Sequence, residues 1–174
     1  MKTLIVVDMQ NDFIDGPLGT PEARAIVPKV KKKIKEYNKR GDRVIFTRDT
    51  HSVKYLETSE GKHLPVVHCI ANTHGWEITD ELDVFKPYIV NKGTFGYDNW
   101  GNYGKTFHFA DTECIELVGL CTDICVISNA MILKATFPET PIIVDASCCA
   151  GVTPKSHKNA LEAMKMCQIE IVGE

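Results

Sequence analysis

The sequence predicts an α/β fold: a doubly wound, mainly parallel six-stranded sheet with helices on both faces. Three observations carry that expectation. Six short runs rich in Val, Ile and Leu recur along the chain, several of them are apolar almost without alternation, and helical stretches lie between most of them. A strand covered on both faces reads as a continuous apolar run, whereas a strand with one wet face alternates. Strands separated by helices are joined by crossovers, and crossovers make a sheet parallel.

The first run is Thr3 to Val7, stopped by Asp8, and a loop rich in Gly and Pro follows at Gly16 to Thr20. Pro28 suits the first turn of a helix, where its missing N–H would have no intrahelical partner anyway. Val30, Ile34 and Tyr37 make the apolar stripe of that helix and Gly41 closes it, which leaves Lys29 to Lys35 mostly on a solvated face. The second strand is Arg43 to Thr47, the third Tyr88 to Val90 and the fourth Cys114 to Gly119. A helix beginning after Thr122 runs to about Ala135 and leads to the fifth strand, Pro141 to Asp145. Thr153 as N-cap with Pro154 at N1 opens the last helix, with Leu161, Met164 and Cys167 inward. Gln168 to Val172 is the sixth strand. No repeat, linker or low-complexity segment divides the 174 residues, so 1–174 reads as one domain of ordinary size.

Composition excludes several function classes. Hydrophobic residues at 44% and charged residues at 25% are globular averages, which fit neither a disordered nor a collagen-like chain. Twenty Lys plus Arg against 23 Asp plus Glu give a formal charge of -3, so nothing favours nucleic acid or an anionic membrane over a small neutral or polar ligand. The apolar start, Leu4 to Val7, is too short for a secretion signal, and Ile124 to Leu133 is half the length that spans a bilayer. Seven cysteines, an odd number scattered along the chain, read as reduced thiols of a cytoplasmic protein.

In doubly wound sheets ligands bind outside the carboxyl ends of the strands. The polar residues at those exits are Asp8, then Asp49 and His51, then Lys92, then Cys121 to Cys125, then Asp145 and Ser147. With Thr122 as N-cap, Cys125 falls in the first turn of a helix, where the dipole lowers a thiol pKa and free N–H groups await an oxyanion. Asp8 could accept the thiol proton, and Lys92 could steady the thiolate or oxyanion by charge. Each residue type also has an ordinary use: a buried Cys as core, an Asp capping a turn, a Lys opening the Gly93 turn. Asp49 and His51, at i and i+2 on one side of an extended segment, combine with His68 into one carboxylate and two imidazoles, a set that leaves open positions on zinc, iron or manganese. Glu60 could supply a fourth ligand; the same histidines would equally serve as surface loop residues. Gly104-Lys105-Thr106 lacks the glycine of a phosphate-binding loop, because Asn99 stands in its place. A thiol-redox role through Cys121, Cys125, Cys148 or Cys149 is the alternative from another class.

Taken in order, Leu4-Ile5-Val6-Val7-Asp8-Met9-Gln10-Asn11-Asp12-Phe13, Asp49-Thr50-His51, Leu64-Pro65-Val66-Val67-His68-Cys69, Lys92-Gly93-Thr94 and Gly119-Leu120-Cys121-Thr122-Asp123-Ile124-Cys125-Val126 resemble the isochorismatase-like cysteine hydrolases, and within them the nicotinamidases. The resemblance implies a catalytic triad of Asp8, Lys92 and Cys125, with the backbone N–H groups of Cys121 and Cys125 as oxyanion hole beside a cis peptide entering Cys121. It implies a metal on Asp49, His51, His68 and Glu60, zinc first with iron or manganese as alternatives, that binds the pyridine nitrogen of nicotinamide. Phe13 matches the ring-stacking aromatic. Many nicotinamidases carry a Trp where Pro65 stands, and the segment Phe95-Gly96-Tyr97-Asp98-Asn99-Trp100 departs from the usual pattern, so Trp100 or Tyr97 is expected to replace the lost stacking partner. The implied activity is hydrolysis of nicotinamide to nicotinate and ammonia through a cysteine thioester, in a homo-oligomer; another small amide or ureido compound as substrate is the alternative.

Overall fold

The computed structural model describes residues 1–86 and 88–174. Six strands, β1 (Thr3–Val7), β2 (Arg43–Asp49), β3 (Tyr88–Lys92), β4 (Ile115–Leu120), β5 (Ile142–Ala150) and β6 (Glu170–Val172), pair in the order β3-β2-β1-β4-β5-β6, every pair parallel. The predicted doubly wound sheet is therefore present. All five residues of β1 are buried. Their alternation sends Leu4 and Val6 into one core and Ile5 and Val7 into the other.

The first core is covered by α1 (Asn11–Ile14), α2 (Pro21–Arg40) and α4 (Asp80–Asp83). The second is covered by α5 (Trp100–Thr106), α6 (Ile127–Thr136) and α7 (Pro154–Met166). A short helix α3 (Ser59–His63) lies in the long β2–β3 connection. Among the described residues no helix is long and apolar enough to cross a membrane.

Several elements depart from the expected boundaries. α2 starts at Pro21, with the Thr20 hydroxyl accepting from Ala23 N–H, so Pro28 sits inside the helix instead of opening it. Burial of Ala23, Ile26 and Val27 on the same face as Val30 and Ile34 outweighs the backbone bond that an interior proline forfeits. Lys33 does not face solvent. Its ammonium reaches Glu116 and Asp145, both at 2.5 Å, while the Tyr37 hydroxyl donates to the other Glu116 oxygen. α7 opens with the predicted Thr153 cap and Pro154, yet Cys167 ends it exposed, so of the three residues expected inward Leu161 and Met164 are, joined by Ala160.

β1 is the pivot of the fold, since the chain moves outward from it to β2 and β3 and then returns to β4 on its other side. Such a reversal of strand order opens a crevice at the carboxyl ends. There Gly119 has φ +117 and lies so near β1 that a Cβ would meet the Val7 carbonyl oxygen. Only glycine combines that dihedral with that approach, and it brings the exits of β1 and β4 together.

Candidate active site

The exits of β1, β3 and β4 converge on one buried cluster. Asp8 leaves β1 with φ +49, and its carboxylate is fully buried. Its Oδ1 accepts from the Thr47 hydroxyl at 2.6 Å, and its Oδ2 lies 2.6 Å from Lys92 Nζ. That second oxygen has no well-angled hydrogen bond of its own. Lys92, the last residue of β3, also stands 3.5 Å from Cys125 Sγ and donates to the Thr94 carbonyl at 3.1 Å. One ammonium thus bridges the predicted carboxylate and the predicted thiol.

Cys125 reaches this point on a widened helical turn, Thr122–Val126, that precedes α6. The Leu120–Cys121 peptide that leads into it is cis. The N-cap is Cys121, whose carbonyl accepts from Ile124 and Val126 N–H. Thr122 was expected to cap the turn; its hydroxyl instead pairs with His157 Nδ1 at 2.7 Å, because α7 packs against this loop. Asn129, one turn beyond Cys125 and fully buried, donates to the Cys125 carbonyl at 2.7 Å.

Burial sets the protonation states. It pushes the Cys125 thiol well above its ordinary value, with Lys92 pulling the other way. It likewise raises Asp8, again against Lys92. Burial alone would strip Lys92 of its proton, but Asp8, Cys125 and Asp49 around it hold the ammonium charged. Burial thus favours the uncharged Cys125 thiol while its neighbours keep the Lys92 ammonium, so thiolate formation requires a base within reach.

A second cluster adjoins the first. Ligand atoms of Asp49, His51, Glu60 and His68 all lie within 4.8 Å of one another. Among the described residues the buried His51 Nε2 has no hydrogen-bond partner, although Asp49 Oδ2 is 2.8 Å away. His68 Nδ1 meets the Val66 carbonyl at 2.7 Å, which assigns the proton to Nδ1 and turns the Nε2 lone pair toward the cluster. Tyr55 packs on both imidazoles, with ring centroids 4.7 Å from His51 and 4.9 Å from His68, and anchors itself through its hydroxyl on the Leu64 carbonyl. An orphaned buried nitrogen among two carboxylates and a second oriented imidazole fits a divalent cation. The four residues named from the sequence, Glu60 included, are the four that meet here.

Both clusters open into one cavity of about 800 Å³. Phe13 lines it, its ring 5.5 Å from that of His68. Trp100 does not. As the first residue of α5 it is completely buried in the second core, its indole N–H donating to Asn129 Oδ1 at 2.7 Å, and Tyr97 packs edge-on against it at 5.0 Å. The apolar demand of the second core captures the largest side chain of the segment. The aromatic presented to the cavity from this stretch is Phe95, beside Leu18, Leu64, Ile124 and Val152. Sequence reasoning also missed Gln10, Thr47 and Asn129, polar residues whose full burial only the fold reveals.

Residues 2–173 match the isochorismatase domain model. The chain belongs to the isochorismatase family. Among curated proteins, this family member is 24% identical to the nicotinamidase of Saccharomyces cerevisiae with 100% of both chains covered, and 27% identical to that of Schizosaccharomyces pombe, covering 98% of this chain and 92% of the relative. Solved structures share the isochorismatase fold: the pyrazinamidase of Pyrococcus horikoshii in complex with zinc at TM-score 0.82, 24% identity and 99% coverage of both chains, and the pyrazinamidase/nicotinamidase of Streptococcus mutans at TM-score 0.86, 22% identity, covering 99% of this chain and 100% of that one.

Proposed function

We propose that this isochorismatase family member is a metal-assisted cysteine amidohydrolase that converts nicotinamide to nicotinate and ammonia. The observation that carries the reading is the contact of buried Lys92 with both Asp8 and Cys125, directly behind a cavity that Cys125 lines together with the Asp49, His51, Glu60 and His68 cluster. Full-length relatives named nicotinamidase support the substrate.

In this mechanism Asp8 takes the Cys125 proton, and the thiolate forms a C–S bond with the carboxamide carbon. Negative charge gathers on the carboxamide oxygen, faced by the backbone N–H groups of Cys121 and Cys125. Collapse of the adduct breaks the C–N bond, and Asp8 returns its proton to the departing nitrogen, which leaves as ammonia. Water then gives one proton to Asp8 and its hydroxyl to the thioester carbon; the C–S bond breaks, Asp8 returns that proton to the Cys125 thiolate, and the product leaves as nicotinic acid, which ionises to nicotinate. Lys92 stays charged throughout and compensates whichever of Asp8 and Cys125 is anionic. Asp49, His51, Glu60 and His68 would hold a divalent ion, zinc first with iron or manganese as alternatives, which would offer a ligand position to the pyridine nitrogen. Phe13 packs beside the ring, which fixes the carboxamide before the thiol.

Another small amide as substrate is favoured by one observation: a pyridine carboxamide of nine heavy atoms occupies only a fraction of a cavity of about 800 Å³. A redox role finds less support, because burial raises the Cys121 thiol to about 12 and the Cys148 thiol to about 11, whereas redox-sensing thiols are held low. Ammonia release from nicotinamide by zinc-loaded protein, by chelator-treated protein and by Cys125→Ala tests the reading. Turnover in the first alone is expected. Silence in all three with folded, metal-loaded protein moves the substrate to another amide, and turnover by Cys125→Ala overturns the thioester route.

A further inference from the structure

The connection from β1 into α1 carries two polar side chains that the proposed chemistry does not use. Gln10 is completely buried and spends its amide on main chain: Oε1 accepts from Asp49 N–H at 2.7 Å, and Nε2 donates to the carbonyls of Asp49 and Trp76, both at 2.8 Å. Asp12, two residues on, accepts from Cys69 N–H through Oδ2 at 2.7 Å. Cys69 directly follows His68 and has φ +48, a left-handed conformation that a non-glycine residue keeps only where its surroundings hold it. The Asp12 carboxylate in turn rests against Gly75, so closely that a Cβ there would occupy the space of its oxygens. Asn11 ties the same stretch down by donating from its side chain to the His74 carbonyl at 2.8 Å.

We propose that Gln10 and Asp12 are positioning residues for the divalent metal, and that Gly75 provides the room Asp12 needs. Asp49 ends β2 and His68 lies in the irregular segment before Cys69. Main-chain bonds from His51 N–H to the Cys69 carbonyl and from Ala71 N–H to the His51 carbonyl, both 2.9 Å, already join the two segments, and the corner from Gln10 into α1 braces the pair from outside, gripping the backbone of Asp49 on one side and of Cys69 on the other. A cage whose main chain is held in advance loses less freedom when an ion enters, and outer-shell partners of this kind typically contribute 10- to 100-fold in metal affinity. Neither Gln10 nor Asp12 reaches the ligand cluster itself; both act through Asp49 and Cys69. The inference rests on the metal site of the proposed function.

The test is zinc affinity of the full chain, measured by competition with a chromophoric chelator, beside the melting temperature of each metal-free variant. Asp12→Ala and Gln10→Met each bind zinc about 10- to 100-fold more weakly. Asp12→Asn, which retains an acceptor for Cys69 N–H, restores most of the affinity. Gly75→Ala, which touches no ligand, weakens zinc comparably by displacing Asp12, and combining it with Asp12→Ala adds nothing, since both changes remove one bond. Wild-type affinity in folded Asp12→Ala and Gly75→Ala overturns the proposal, as does full additivity of the two. If Gln10→Met fails to fold, the Asp12 and Gly75 pair decides alone. A wild-type chain that binds no divalent ion overturns the metal site and this inference together; one that binds zinc yet leaves nicotinamide intact overturns only the substrate reading.

Discussion

Replacing Thr47 by valine removes one hydrogen bond from the proton-transfer pair and keeps the side-chain shape. The Thr47 hydroxyl donates to Asp8 Oδ1 at 2.6 Å, and both residues are fully buried. A hydrogen bond to a buried charged group contributes about 1.5–3 kcal/mol, and 1.36 kcal/mol corresponds to one pKa unit. The bond favours the carboxylate, so its loss raises the Asp8 pKa, by about one to two units if the whole contribution falls on the ionised form. Asp8 already stands above its ordinary 3.8 through burial. The proposed mechanism needs Asp8 ionised in the free enzyme, so the acid limb of kcat/KM for nicotinamide moves to higher pH by that amount. Thr47→Ser, which keeps the donor, restores the wild-type limb. A folded Thr47→Val protein whose acid limb coincides with wild type, or moves to lower pH, refutes the role given to Asp8. The stability consequence has a definite sign. Native Asp8 holds its proton to higher pH than the unfolded chain does, so stability falls as pH rises from 3.8 through the native pKa. Thr47→Val widens that window and is therefore destabilised more at neutral pH than in acid.

Other perturbations separate the parts of the site. Cys125→Ala and Asp8→Asn abolish ammonia release while zinc affinity stays near wild type by chelator competition; a loss of metal in either would join the two clusters energetically. His51→Ala gives the opposite pattern, with weakened zinc binding and raised KM, read by the same titration and by initial rates. Lys33→Met strands the buried carboxylates of Glu116 and Asp145 and costs about 2–4 kcal/mol in urea unfolding at neutral pH. Burial tends to raise Asp145, but Lys33 and Ser147 hold it below its ordinary 3.8. The stability from that pairing is present above 3.8 and is lost as pH falls, so the Lys33→Met deficit shrinks in acid. Gly119→Ala forces a Cβ onto the Val7 carbonyl oxygen in a left-handed conformation, and the soluble folded fraction drops sharply.

Much of this molecule follows from patterns that are local in the chain. The apolar runs are strands because a sheet covered on both faces leaves no position for water, and the Thr153-Pro154 cap signal opens α7 where it stands. The same kind of signal at Thr20-Pro21 marks the true start of α2, but Pro28 within a helical stripe competed with it, and only burial of Ala23, Ile26 and Val27 decides between them. Asp8, Asp49, His51, Lys92 and Cys125 were legible because strand exits in a parallel sheet gather at one edge, whereas Glu60 and His68, inside the β2–β3 connection, were named only from their residue types and the family resemblance.

The sequence by itself determined the fold class, the edge where chemistry resides and the residue types that meet there, since periodicity and strand exits are encoded within a few residues of each other. Tertiary structure decided everything that depends on which distant surface a side chain meets. Trp100 went to the core and Phe95 to the cavity because α5 packs over the second core; Lys33 turned inward because β4 and β5 present carboxylates beneath α2. Gln10 and Asp12 became backbone clamps because the 74–78 segment closes over them. A polar side chain carries no mark of its future burial along the chain, and its role is set by partners that only folding brings within hydrogen-bond reach.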